Sequence, residues 1–183
     1  MFDDLKIIIW PDPRLKKISE PAREFTPELR ALAEKMFSLM REARGVGLAA
    51  PQVGKNIRMF VMNATTKPED DRVYINPILS DAQGEEDAEE GCLSLPEINV
   101  QVNRQKTIRM EAIDLNGNAF EELQTGYIAR VWQHETDHLN GVLITDRMGL
   151  GDKLKYRKAL RELEEVYAEA QAKKKPTSRA KSK

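Results

Sequence analysis

Two spacings of apolar residues alternate along the chain, and each predicts an element. Leu29, Leu32, Ala33, Met36, Leu39, Met40 and Ala43 recur at the three- and four-residue steps of one helix face. Thr26-Pro27-Glu28 in front of them supplies an N-cap, a first helical residue and a first-turn acid, and Gly45 reads as the stop. Residues 6–10 read as a short edge strand ahead of a Pro11-Asp12-Pro13 turn. Residues 57–63 and 73–76 are strand-like and flank a polar loop at 65–72. Asn76-Pro77 reads as a turn, and the acidic run 81–90 as an irregular solvated loop. Residues 98–102 and 107–114 read as two strands, the second setting Ile108, Met110 and Ala112 against Arg109 and Glu111. Asn116-Gly117 is a hairpin signal, with a return strand at 119–123.

A second helix is expected between Thr125, as N-cap, and Gly141. Tyr127, Val131, His134 and His138 form one stripe on it; Ile128, Trp132, Glu135 and Leu139 form the neighbouring one. Residues 142–144 read as a last strand. Residues 152–172 read as a long helix with Tyr156, Leu160, Leu163, Tyr167 and Ala170 on one face. Strands before helices imply an α+β fold, with antiparallel sheets packed around a central metal-binding helix, a long N-terminal helix and a C-terminal helix. One catalytic domain over residues 1–172 and a basic disordered tail at 173–183 follow.

Composition narrows the class. A chain of 183 residues, 40% hydrophobic and 32% charged with net charge −1, suits a soluble globular protein without an overall pull toward DNA or membrane. No apolar run has the length of a membrane span, and residues 7–10 are too short for a signal peptide. A lone cysteine excludes an internal disulfide and fits a reducing compartment, so the cytoplasm is expected.

The chemistry concentrates in Gln133-His134-Glu135-Thr136-Asp137-His138. Its two histidines, the only ones in the chain, lie four apart on one helix face and can hold one metal ion. Glu135 between them suits a general acid/base for water. A catalytic metal takes three protein ligands and keeps a position open. With both histidines used, the third ligand is an acid or Cys92.

Gly45-Val46-Gly47-Leu48-Ala49-Ala50-Pro51-Gln52, Glu90-Gly91-Cys92-Leu93-Ser94 and Gln133 to Gly141 together resemble the three signature motifs of the peptide deformylase family, in the same order and without departure at their fixed positions. The resemblance runs from about Trp10 to Met148. It implies removal of the N-formyl group from the initiator methionine of new polypeptides, with Cys92, His134 and His138 as metal ligands and Glu135 as general acid/base. It also implies the Gln52 side chain and the Leu93 backbone N–H as oxyanion donors. The methionine side chain is expected against Val46, Tyr127, Val131 and His134, and the peptide as an added strand along Val46-Gly47. The family's metal is one divalent ion, Fe2+ in the cell, with Zn2+, Ni2+ or Co2+ as replacements on isolation.

Three charges near the motifs carry a supporting expectation: a Glu90–Arg104 ion pair, and Asp137 orienting groups around the site. The basic tail is expected to make a weak contact with ribosomal RNA, and the protein to act as a monomer. Two other readings compete. A zinc endopeptidase of the H-E-x-x-H type needs a non-cysteine third ligand. A structural metal site in a binding module needs a closed set of four.

Overall fold

The computed structural model describes residues 2–174. Helix α1 spans Pro27–Glu42, with the Thr26 hydroxyl accepting the Leu29 N–H at 3.4 Å. It buries Leu29, Leu32, Ala33, Met36, Leu39 and Met40 as the spacing predicts, together with Phe37. Ala43, by contrast, is exposed, because the helix has already ended. The residue in the left-handed conformation at that end is Arg44, at φ 56°, rather than Gly45. The Gly45 N–H closes the turn on the Met40 carbonyl at 2.8 Å.

Five strands follow: β1 (Gly47–Ala49), β2 (Met59–Met62), β3 (Arg72–Cys92), β4 (Leu95–Ile113) and β5 (Ala119–Thr125). They form one antiparallel sheet in the order β1-β2-β3-β4-β5, so β1 is an edge. Two long strands replace several expected short pieces. Asn76-Pro77 does not turn the chain; it is a bulge in β3, where the register shifts between Ile75 and Ile78. Pro77 has no N–H to give the ladder, and the Asn76 side chain instead exchanges two 2.8 Å hydrogen bonds with the Ala22 backbone.

The acidic run 81–90 is not a loop but strand, paired residue by residue from Glu85↔Gln105 to Glu90↔Val100. Its charges up to Glu89 face solvent as expected, but Glu90 is buried, and the backbone from 85 to 90 is held by β4. The two strands read at 98–102 and 107–114 are one strand. Ile98, Val100, Val102 and Arg104 are buried in strict alternation, and the inward-facing arginine hides the period in the sequence.

Helix α2 (Tyr127–Leu139) starts after Gly126 at φ 65°; Thr125 is not its cap, and its hydroxyl donates to the Lys106 carbonyl at 3.1 Å. Ala129, Val131, Trp132 and Leu139 pack with Phe60, Tyr74, Ile108 and Met110, so the sheet wraps this helix. Tyr74 stacks on Phe60 at 4.7 Å and meets Trp132 edge-on at 5.7 Å. Residues 142–144 form no strand: the Leu143 N–H is taken by the Asp146 carboxylate at 2.7 Å, and Ile144–Arg147 is a short helix, α3.

Residues 6–10 form an extended arm rather than a strand. It is pinned by Ile8 N–H to the Gln52 carbonyl at 2.8 Å and Trp10 N–H to the Ser94 carbonyl at 2.9 Å. Helix α4 spans Leu150–Lys174. Tyr156, Leu160 and Leu163 pack on Leu95, Ile98, Val100 and Val102, whereas Ala170 is exposed. Lys173 and Lys174, expected in the tail, continue this helix; the remainder of the tail lies outside the described residues.

Candidate metal and hydrolytic site

Helical pitch puts His134 and His138 of α2 on one face. Their Nε2 atoms lie 3.3 Å apart. The end of β3 brings Cys92 Sγ to 3.4 Å from His138 Nε2. Among the described residues, these three side chains are the group whose ligand atoms converge, all within 4.8 Å of one another. One sulfur and two imidazole nitrogens form a donor set for zinc, ferrous iron, cobalt or nickel. They fit a divalent cation in their orientation too: His134 Nδ1 donates to Glu90 Oε2 at 3.0 Å, which leaves Nε2 with its lone pair turned toward Cys92 and His138. Three converging protein ligands make an open set rather than the closed four of a structural site.

Glu90 is held by four hydrogen bonds from three side chains. Arg104 grips it in a fork, Nε to Oε1 and Nη2 to Oε2, both at 2.9 Å. Arg130 Nη1 adds a bond at 2.8 Å, and His134 completes the set. Burial works to raise the Glu90 carboxyl, but hydrogen bonds from Arg104 and His134 outweigh it and hold the group below the usual carboxylate range. Arg104 reaches on to Asp137 at 2.5 Å, and Asp137 takes two further bonds from Arg147 at 2.6 Å. The expected trio Glu90, Arg104 and Asp137 is therefore one connected chain, buried at Glu90 and Arg104 and partly exposed at Asp137.

Arg130 and Arg147 belong to that chain and were not anticipated. Gln133, quoted in the motif without a role, bonds both polar groups of the Gln105 backbone and so docks α2 on β4. Nothing local marks these three; apart from a Gln133 bond to the Ala129 carbonyl one turn back, their partners are 28 or more residues away or on another element. Ser94 was also missed: its hydroxyl accepts from Gln52 Nε2 at 3.2 Å.

Gln52 is buried in the turn after β1. The Ala49 N–H donates to its Oε1 at 2.8 Å, which fixes the amide and directs Nε2 toward Ser94 and Cys92 Sγ, 3.7 Å away. Leu93 occupies the two-residue turn between β3 and β4. That turn closes through the Cys92↔Leu95 pair, so the Leu93 N–H stands outside the ladder.

Glu135 is buried, and its Oε2 has no hydrogen-bond partner among the described residues. Burial, opposed by His134, pushes its carboxyl up to about 7. A carboxyl near neutrality can take up and give back a proton at physiological pH. It faces Gly47 so closely that a β-carbon there would collide with Oε1. A β-carbon at Gly45 would sit 2.6 Å from Leu93 Cδ1. The two glycines thus keep both sides of the cleft apart.

This cleft has a volume of about 600 Å³. Val46, Gly47, Tyr127, Val131, His134 and Glu135 line it, with Gln52, Cys92 and Leu93, so the expected substrate residues and catalytic residues share one space. A second cavity of similar volume lies elsewhere along α2, against Arg58, Thr136 and Arg147; it contains none of the three ligands and not Glu135.

Residues 4–153 match the family model for polypeptide deformylase. A peptide deformylase of Rhodopseudomonas palustris (strain TIE-1) is 45% identical over 166 residues, which cover 88% of this chain and 93% of that one. One of Rhodopirellula baltica is 44% identical over 147 residues, 79% of this chain and 73% of that protein. Among solved structures, peptide deformylase from Plasmodium falciparum superposes with a TM-score of 0.87 at 39% identity, covering 89% of this chain and 97% of that chain. A peptide deformylase from Legionella pneumophila superposes with a TM-score of 0.84 at 37% identity, covering 94% and 99%.

Proposed function

The chain belongs to the polypeptide deformylase family and is a hydrolase that removes the N-formyl group from newly made polypeptides; from that premise we propose which of its residues carry the reaction. Cys92, His134 and His138 hold the metal ion. The observation that carries this reading is a sulfur donor converging with the two histidines beside a buried carboxyl group whose Oε2 has no hydrogen-bond partner among the described residues. It also disfavours a zinc endopeptidase of the H-E-x-x-H type, whose third ligand is not cysteine.

A divalent cation on these three atoms supplies a Lewis acid that polarises the formyl carbonyl and lowers the pKa of water. The remaining work falls to the chain's own groups. Glu135 takes a proton from the attacking water at its free carboxylate oxygen. As the formyl carbon–nitrogen bond breaks, it returns that proton to the leaving nitrogen, giving formate and a free amino terminus. Gln52 Nε2 and the Leu93 N–H donate to the oxygen that gains charge. Glu90, locked by Arg104 and Arg130, holds the His134 ring with Nε2 facing inward, and Asp137 anchors Arg104 in turn.

Val46, Tyr127 and Val131 receive the methionine side chain. The peptide lies as an added strand on the free edge of β1 at Gly47. Ferrous iron serves in the cell, with zinc, nickel or cobalt as substitutes. The enzyme acts in the cytoplasm as a monomer, and the basic residues beyond 174 make a weak contact with ribosomal RNA. No helix among the described residues is long and apolar enough to cross a membrane.

The direct test is formate release from formyl-Met-Ala-Ser by protein purified anaerobically with ferrous iron. Formate is expected from this peptide and no cleavage from its acetylated counterpart. Cleavage at internal peptide bonds without formate would overturn the reading.

A further inference from the structure

The second cavity along α2 carries a charge that the reaction does not use. It has a volume of about 600 Å³, and α2, β3 and β4 each supply part of its wall. Three arginines line it, Arg58, Arg104 and Arg147, against one carboxylate, Asp137. Asp137 is already occupied: its Oδ1 accepts from Arg147, and its Oδ2 accepts from Arg147 and Arg104. Arg104 is occupied as well, by Asp137 and by Glu90 behind the wall. Setting Asp137 and Glu90 against Arg104 and Arg147 leaves Arg58 without a counter-charge.

Arg58 stands just ahead of β2 and is half-buried. Its guanidinium meets neutral acceptors: Asn140 Oδ1 at 2.9 Å, and the Leu139 and Pro77 carbonyls at 3.5 Å. No carboxylate among the described residues pairs with it. Burial pushes the guanidinium below its usual value, and no acid opposes that shift. Holding the end of α2 explains the bonds to Leu139 and Asn140, but a neutral amide could make them. It does not explain a cation.

Donors and apolar surface lie beside this charge. Arg147 gives Nε and Nη2 to Asp137, so its Nη1 is left over. Thr136 is buried in the same wall, and its Oγ1 has no hydrogen-bond partner among the described residues. The bulge in β3 then forms an apolar lip. It places Pro77, Ile78 and Leu79 on the cavity and leaves Ile78 60% exposed. Guanidinium groups bind carboxylates and phosphates through paired N–H donors. An apolar wall with a few convergent polar groups is the usual make-up of a small-molecule site.

We propose that this cavity binds a small organic oxyanion, a carboxylate or a phosphate monoester. Its head lies on Arg58 and Arg147, and its apolar body on Pro77, Ile78 and Leu79. The site is separate from the deformylation chemistry, since neither a metal ligand nor Glu135 lines it.

The test is a titration of zinc-loaded protein at low salt, followed by backbone amide and arginine Nε NMR shifts. Phenyl phosphate and benzoate are the probes, with inorganic phosphate, benzyl alcohol and benzylamine beside them. Both probes should move Leu79, Gln105 and Asn140 and the Arg58 Nε, and the tighter of the two identifies the preferred head group. Benzyl alcohol and benzylamine should leave these signals in place. Inorganic phosphate should bind more weakly than phenyl phosphate, because it has nothing to lay on the lip. Salt at about 0.5 M should weaken both probes.

Arg58→Gln, which keeps an amide for the Leu139 and Asn140 acceptors but removes the charge, should weaken the probes by about tenfold or more. Arg58→Lys should fall between. Ile78→Glu, a change at an exposed position, should weaken them too and does not depend on how Arg58 variants fold. Shifts at Gly47 and Leu93 report a probe at the metal and should not depend on Arg58. Shifts confined to those two, equal affinity in wild type and Arg58→Gln, or benzylamine binding as tightly as benzoate would overturn the proposal.

Discussion

Strands β3 and β4 carry two arginine–carboxylate clusters of the same composition and opposite surroundings. Arg104 sits between Glu90 and Asp137, with its side chain 3% exposed and those of its partners 5% and 14%. Arg109, five residues on and therefore on the other face, bridges Asp81 and Glu121, whose side chains are 55% and 56% exposed. In water such a pair gains little, since solvent screens it and two side chains lose freedom. In the interior, desolvation is severe, and the cluster persists only because each oxygen finds a donor. Chemistry alone does not separate the two; the face of the strand does. The buried one touches His134 and the exposed one touches nothing functional.

The largest effect should come at the group beside the buried cluster. Glu135→Gln should lower formate release by about 10²- to 10⁴-fold with metal content unchanged, checked by single-turnover assay and metal analysis. Next, Cys92→Ala should remove the metal from purified protein, read by elemental analysis; retained stoichiometric metal would mean that a carboxylate is the third ligand. Arg104→Ala should destabilise by about 3–5 kcal/mol in denaturant unfolding, because buried Glu90 loses the two-point fork and keeps only Arg130 as counter-charge. It should also weaken metal affinity by about 10- to 100-fold through His134. Arg104→Lys, which keeps the charge but not the fork, should fall between. The smallest effect belongs to Arg109→Ala: no resolvable change in unfolding midpoint, metal content or turnover. A loss there as large as at Arg104 would break the contrast and show that the outer face of the ribbon is coupled to the site.

Most of the residues that converge on the cleft are legible in the chain before folding, and the sheet is not. Helix α1 and helix α2 emerge from apolar periodicity and end signals, which are local. Errors at their termini, Gly45 against Arg44 and Thr125 against Gly126, concern which residue carries the unusual φ. Strand β3 was lost where it is acidic, because residues 81–90 have no apolar face and are kept extended by β4 alone. Strand β4 was cut in two because a charged residue occupies an inward position, and only its carboxylate partners make that position tolerable. Residues 142–144 failed as a strand because Asp146 captured the N–H that a ladder would need.

The sequence by itself determined that two histidines share a helix face with a glutamate beside them, since the helical repeat is a local property. It also determined the order of the three motifs and hence the family. Tertiary structure decided the rest: that Cys92, 46 residues from His138, comes within 3.4 Å of its Nε2, and that Arg104 and Arg130, 14 and 40 residues from Glu90, make its burial bearable. The reason is physical. Backbone periodicity depends on neighbours in the chain, whereas desolvation and charge pairing depend on neighbours in space, which the chain acquires only when the sheet wraps α2.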